Sequence, residues 1–134
     1  MCSKLLTSAY LEMVEGQYLD LSYEGRPDIG IDDYLLMISK KAGALIKCAV
    51  NMGAALGTRS PDTLATLSDF GDSLGYAFQI RDDYLGVWGE EATTGKPVGA
   101  DIRRKKNSFP VVYAMSAATG RDRETLKRTY EQEH

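Results

Sequence analysis

Apolar residues recur along this chain at three- and four-residue intervals, and no stretch alternates residue by residue. The pattern predicts helices and no strands. Leu5, Leu6, Tyr10, Met13 and Val14 mark an amphipathic helix over about residues 3–22. Residues 22–28 bring Gly25 and Pro27 together and read as a loop. Asp32 or Asp33 is placed to cap a second helix. That helix carries Tyr34, Met37, Ile38, Leu45, Ile46, Ala49 and Val50 and reaches about Leu56. Its later part, residues 42–55, is rich in Ala and Gly, which favours close approach by a neighbouring helix. Ser60 followed by Pro61 is a helix opening, and the third helix runs on to Gly86 or Trp88. Residues 90–106 read as a loop, 108–118 as a short helix, and 121–134 as a charged, weakly held helical tail.

The length of 134 residues suits one domain with a modest core. With 43% hydrophobic and 26% charged residues, the chain falls in the ordinary globular range. The net charge of −3 argues against a nucleic-acid partner, and anionic ligands would need local bases or metal ions. Cys2 and Cys48 form no metal-ligand pattern, and Cys48 reads as a buried free thiol. No apolar run reaches membrane-span length and no signal peptide is evident, so the expected location is cytoplasmic.

Candidate chemistry lies in four segments. The first is the helix end Phe78-Gln79-Ile80-Arg81-Asp82-Asp83-Tyr84-Leu85-Gly86. Two adjacent carboxylates there repel each other near the negative end of the helix dipole. A hard divalent cation such as Mg²⁺ resolves both problems, and so does simple solvation at a helix end. Gln79 lies one turn before Asp83, within reach of the same ligand. The second segment, residues 94–106, holds five cations (Lys96, Arg103, Arg104, Lys105 and Lys106) among glycines, suited to phosphate or to solvent. The third is Lys40-Lys41, where Lys41 shares the stripe of Tyr34, Met37 and Ile38; it is either paired or snorkels outward. The fourth, Gly16-Gln17-Tyr18-Leu19-Asp20-Leu21, reads by itself as capping or core.

In this order the four segments resemble the trans-isoprenyl diphosphate synthase (polyprenyl synthetase) family, through Gly16–Leu21, Tyr34–Gly43, Phe78–Asp83 and Thr94–Lys106 with Pro110. The resemblance covers nearly the whole chain and corresponds to the family's C-terminal half. It implies an all-α, antiparallel helical bundle forming part of the isoprenoid-synthase fold. It also implies condensation of an allylic diphosphate with isopentenyl diphosphate, with Mg²⁺ drawing off the allylic diphosphate. Carried over by position, Asp82 and Asp83 would be metal ligands of the second aspartate-rich motif, Asp82 direct and Asp83 a direct or water-mediated helper. Lys41, Lys96 and Lys106 would hold the diphosphate. Gln17 and Gln79 would line the site near the reacting carbons, and Asp101 would support the lysines or a metal-bound water.

The chain departs from the family at two motif positions. Gly86 stands where a third Asp is usual, and Ala42 where Thr usually follows the motif lysine. No stretch matches the first aspartate-rich motif, so the chain is expected to elongate prenyl chains poorly by itself and to self-associate, as a homodimer or otherwise, or to pair with a missing N-terminal half. A non-catalytic synthase-like subunit is the rival reading, and a terpene cyclase ranks below it.

Overall fold

In a computed structural model, residues 2–132 are described, and they form helices with no strand among them. The elements are α1 (Cys2–Tyr23), α2 (Ile31–Ile38), a π-helical turn (Ser39–Gly43), α3 (Ala44–Gly57), α4 (Pro61–Trp88), α5 (Glu91–Thr94), α6 (Ala100–Arg103), α7 (Phe109–Ala117) and α8 (Gly120–Glu131). No described helix is long and apolar enough to cross a membrane. The all-helical expectation holds.

Local chemistry sets the boundaries. Ser60 Oγ accepts from Thr63 N, Ser60 O accepts from Leu64 N, and Pro61 begins α4 as anticipated. Before α2 the capping arrangement differs from the expectation. Gly30 precedes the first helical residue, and Asp33 reaches back from the third position to accept the Gly30 N–H at 3.0 Å. This is the returning half of a capping box, so neither Asp32 nor Asp33 is the cap itself. The second helix is also interrupted by the π turn, and the 90–106 loop contains α5 and α6, bounded by left-handed Gly95 and Gly99. These short turns carry no hydrophobic period and could not be read from it.

Contacts divide the chain into two compact units, one of residues up to Leu19 plus Leu35–Gln79, the other of Asp20–Tyr34 plus Ile80 onward. In the first unit Ala9, Ala44 and Cys48 form a small core, extended by Leu45 and Met52. Cys48 is a buried free thiol, as expected. Helix α1 does not bury its apolar stripe: Leu5, Leu6, Tyr10 and Val14 are exposed, while Ala9, Gly16, Asp20 and Tyr23 form the buried face. The reason is proximity. A Cβ on Gly16 would lie 2.6 Å from Lys41 Cα, so the face that packs is the one with small side chains. The Ala/Gly-rich segment behaves as predicted, since Gly71 and Gly75 of α4 come within contact distance of the Lys47 and Gly43 backbones.

In the second unit Val111 and Met115 of α7 pack with Tyr130 of α8, and Leu126 joins them. The tail is therefore anchored: Tyr130 is 4% exposed and its hydroxyl donates to Lys106 O. This corrects the expectation of a weakly held segment, which counted its charges and overlooked Leu126 and Tyr130 as one apolar stripe. Residues 133–134 of that predicted tail lie outside the described residues. The 104–107 segment is stitched to residues 23–26 by Arg104–Glu24, by Gly25 N–H to Lys105 O, and by the Asn107 amide to Tyr23 O and Arg26 O.

Candidate functional site

Adjacent helical residues point about 100° apart, so a carboxylate pair at a helix surface must divide. Asp82 is exposed and Asp83 is 1% exposed. The buried member accepts from three donors. Tyr34 Oη lies 2.7 Å and Phe109 N 3.0 Å from Asp83 Oδ2, and Lys106 Nζ lies 3.0 Å from Oδ1. Lys106 also sits 3.7 Å from Asp101 Oδ2, with its side chain 9% exposed.

Lys106 and Asp83, expected to contact substrate diphosphate and metal, are paired with each other inside the fold. An isolated buried charge would be costly, and the pairing with its further hydrogen bonds offsets part of that cost. Burial pulls the Lys106 ammonium down, but the Asp83 charge, its hydrogen bond, Asp101 and Asp20 together outweigh burial and raise it. Burial, then the Asp83 charge, holds the Tyr34 phenol far above its usual range. Burial, then Asp101, leaves Tyr130 pushed up to about 12.

These three groups keep their protons more tightly folded than unfolded. The stability they add is therefore complete below the ordinary values of 10.0 for tyrosine and 10.5 for lysine, and is lost as pH rises toward the folded values. Melting temperature is expected to fall progressively above about pH 10, and less so in Tyr130→Phe. A melting temperature that stays flat to about pH 12 would contradict this assignment.

Gly86 and Asp101 fit together. A Cβ on Gly86 would lie 2.6 Å from Asp101 Cγ and 3.2 Å from Oδ1, so the Asp101 carboxylate occupies the space a side chain at 86 would need. Asp101 itself is buried. The glycine at the third motif position is thus a notch with an acid already in it.

Asp82 faces a different direction. With Leu85, Gly86, Thr93, Thr94 and Lys96 it lines a cavity of about 130 Å³. Thr94 Oγ1 accepts from Lys96 N at 3.3 Å, and Gly95 takes the left-handed conformation (φ 68°) that turns the chain back. Together they place Lys96, which is exposed, on the rim with Asp82. One anion and one cation therefore share a small cavity. No group of three or more Asp, Glu, His or Cys side chains placed for a metal ion occurs among the described residues.

The remaining predicted residues belong to the other unit. Gln17 is exposed near the end of α1, Lys41 is half-buried in the π turn, and Gln79 is 5% exposed on α4. The neighbouring Lys40 pairs with Glu15 at 2.6 Å. Sequence reasoning missed Tyr34 as a partner of Asp83. Its hydroxyl on a fully buried stripe was the available signal, because a buried phenol needs an acceptor.

The chain belongs to the polyprenyl synthetase family, whose profile matches residues 1–134. It is 43% identical over 122 residues to a short chain isoprenyl diphosphate synthase of Methanothermobacter thermautotrophicus, covering 91% of this chain and 38% of that protein. It is 42% identical over 112 residues to a geranylgeranyl diphosphate synthase of Mycobacterium tuberculosis, covering 84% and 32%. A polyprenyl synthetase crystal structure from Streptomyces coelicolor superposes with a TM-score of 0.85 at 39% identity, over 97% of this chain and 38% of that one. The chain thus spans about a third of the length of these relatives.

Proposed function

We propose that this chain supplies the second-aspartate-motif part of a trans-isoprenyl diphosphate synthase, which joins an allylic diphosphate to isopentenyl diphosphate. The observation that carries the proposal is the cavity shared by Asp82 and Lys96. A lysine ammonium is a point-charge partner for phosphate, and a carboxylate-held cation is the other half of such a site.

Asp82 fits Mg²⁺ as an exposed oxygen donor, because Mg²⁺ commonly takes one or two carboxylates and completes its shell with water and substrate phosphate. Asp83 is assigned a supporting place behind Asp82, because it is 1% exposed and accepts from Tyr34, Lys106 and Phe109. When bound, Mg²⁺ would offset the charge that develops on a departing diphosphate. Lys96 would hold a diphosphate oxygen at the cavity rim. Lys41 is assigned as a second diphosphate contact, and Gln17 and Gln79 as polar groups beside the reacting carbons, on the family resemblance of their segments. Asp83 and Lys106 act indirectly, by fixing the end of α4 that carries Asp82.

The test is calorimetric titration of inorganic pyrophosphate into the chain, with and without Mg²⁺. Binding is expected to require the metal and to weaken about tenfold in Asp82→Ala and in Lys96→Ala, the scale of one charge-assisted contact. Metal-independent binding, or wild-type affinity in both variants, would refute it.

A further inference from the structure

The π turn Ser39–Gly43 is wedged between glycines on two different helices. A Cβ on Gly16 of α1 would lie 2.6 Å from Lys41 Cα and 2.8 Å from the Lys40 carbonyl carbon. A Cβ on Gly75 of α4 would lie 2.6 Å from Gly43 Cα. All three obstacles are backbone atoms, which cannot rotate aside as a side-chain tip can. π turns are rare and occur mostly as single-turn bulges inside α-helices, frequently at functional sites, so what holds this one in place matters. Two further contacts fix this one. Lys40 is tied to Glu15 of α1, and Ser39 Oγ donates to Leu36 O at 2.8 Å.

We propose that Gly16 and Gly75 are positioning residues for Lys41. They clamp the π turn from two helices and thereby set where the Lys41 ammonium is presented to a diphosphate-class ligand. The functional half of this proposal rests on the ligand role assigned to Lys41 above. Gly43 provides an internal control. A Cβ there would meet nothing closer than Ile38 O at 3.4 Å, an ordinary contact, although Gly43 lies in the turn itself.

Amine acetylation read by mass spectrometry tests the clamp, with exposed Lys4 and Lys127 as references. Relative to them, Lys41 is expected to react about fivefold faster in Gly16→Ala and in Gly75→Ala, the effect of roughly 1 kcal/mol of lost clamping, and at the wild-type rate in Gly43→Ala. An unchanged Lys41 rate in folded Gly16→Ala and Gly75→Ala would overturn the clamp. If those variants do not fold, hydrogen exchange of the wild-type chain decides. Amides of Ser39–Gly43 as protected as those of α3 support the clamp, and exchange at the rate of the 25–30 loop overturns it. A separate arm adds pyrophosphate and Mg²⁺ to the wild-type chain. Slower acetylation of Lys41 supports its ligand role. Unaltered acetylation would overturn that role while leaving the steric clamp standing.

Discussion

Replacing Asp83 with leucine is expected to cost about 3–5 kcal/mol of folding stability, the range for removing one partner of a buried ion pair. The substitution strands three donors at once: the Tyr34 hydroxyl, the Phe109 amide and the Lys106 ammonium. Lys106 would keep only the 3.7 Å contact with Asp101 among its named ion pairs, with its side chain still 9% exposed. Asp83→Asn retains two acceptor sites' worth of geometry on one oxygen and should fall between wild type and leucine. Asp82→Leu, on the exposed side of the same helix, should change stability by less than about 0.5 kcal/mol. Urea denaturation of the three variants measures the difference. Equal losses at positions 82 and 83 would mean that the pair is not divided as described.

Gly86→Asp is the second large effect, with an expected loss of about 3 kcal/mol from overpacking and a like charge driven against a buried acid. The new Cβ would sit 2.6 Å from Asp101 Cγ, so Asp101 must leave its place beside Lys106. The loss should be conditional. In Gly86→Asp/Asp101→Gly the notch is empty when the new carboxylate arrives, and a coupling energy of about 1–3 kcal/mol should appear in the double-mutant cycle. Additive losses, or a Gly86→Asp chain as stable as wild type, would show that the two positions do not compete for one space.

Much of this was legible in the linear pattern, and the failures share a cause. Long helices announced themselves through period and punctuation: Ser60–Pro61 marked the start of α4, and Trp88 its end. Position within a motif also put Asp82 and Lys96 in one functional group, and they line one cavity. What could not be read was which way a side chain turns when two like residues compete. Asp82 and Asp83 carry the same chemistry, as do Lys96 and Lys106, and only packing decides which member faces outward. The Gly86 substitution looked like a missing acid because its meaning depends on Asp101, fifteen positions away in sequence and adjacent in space. The π turn had no signal in hydrophobic period, since its origin is the close approach of Gly16 and Gly75 from other helices.

The basic run of residues 94–106 bears on how the proposed diphosphate would arrive. Of its five cations, Lys106 answers Asp83 and Arg104 answers Glu24. Among the described residues, Lys96, Arg103 and Lys105 form no such ion pair and contribute to the outward field. For the diphosphate proposed above, the attraction would be weaker than the linear charge count suggests, and the capture rate would vary with ionic strength. Added electrolyte would slow that encounter while screening the Lys106–Asp83 pair much less, because that pair is buried. Recruitment of the proposed ligand and architecture would thereby come under separate electrostatic control within one short stretch of chain.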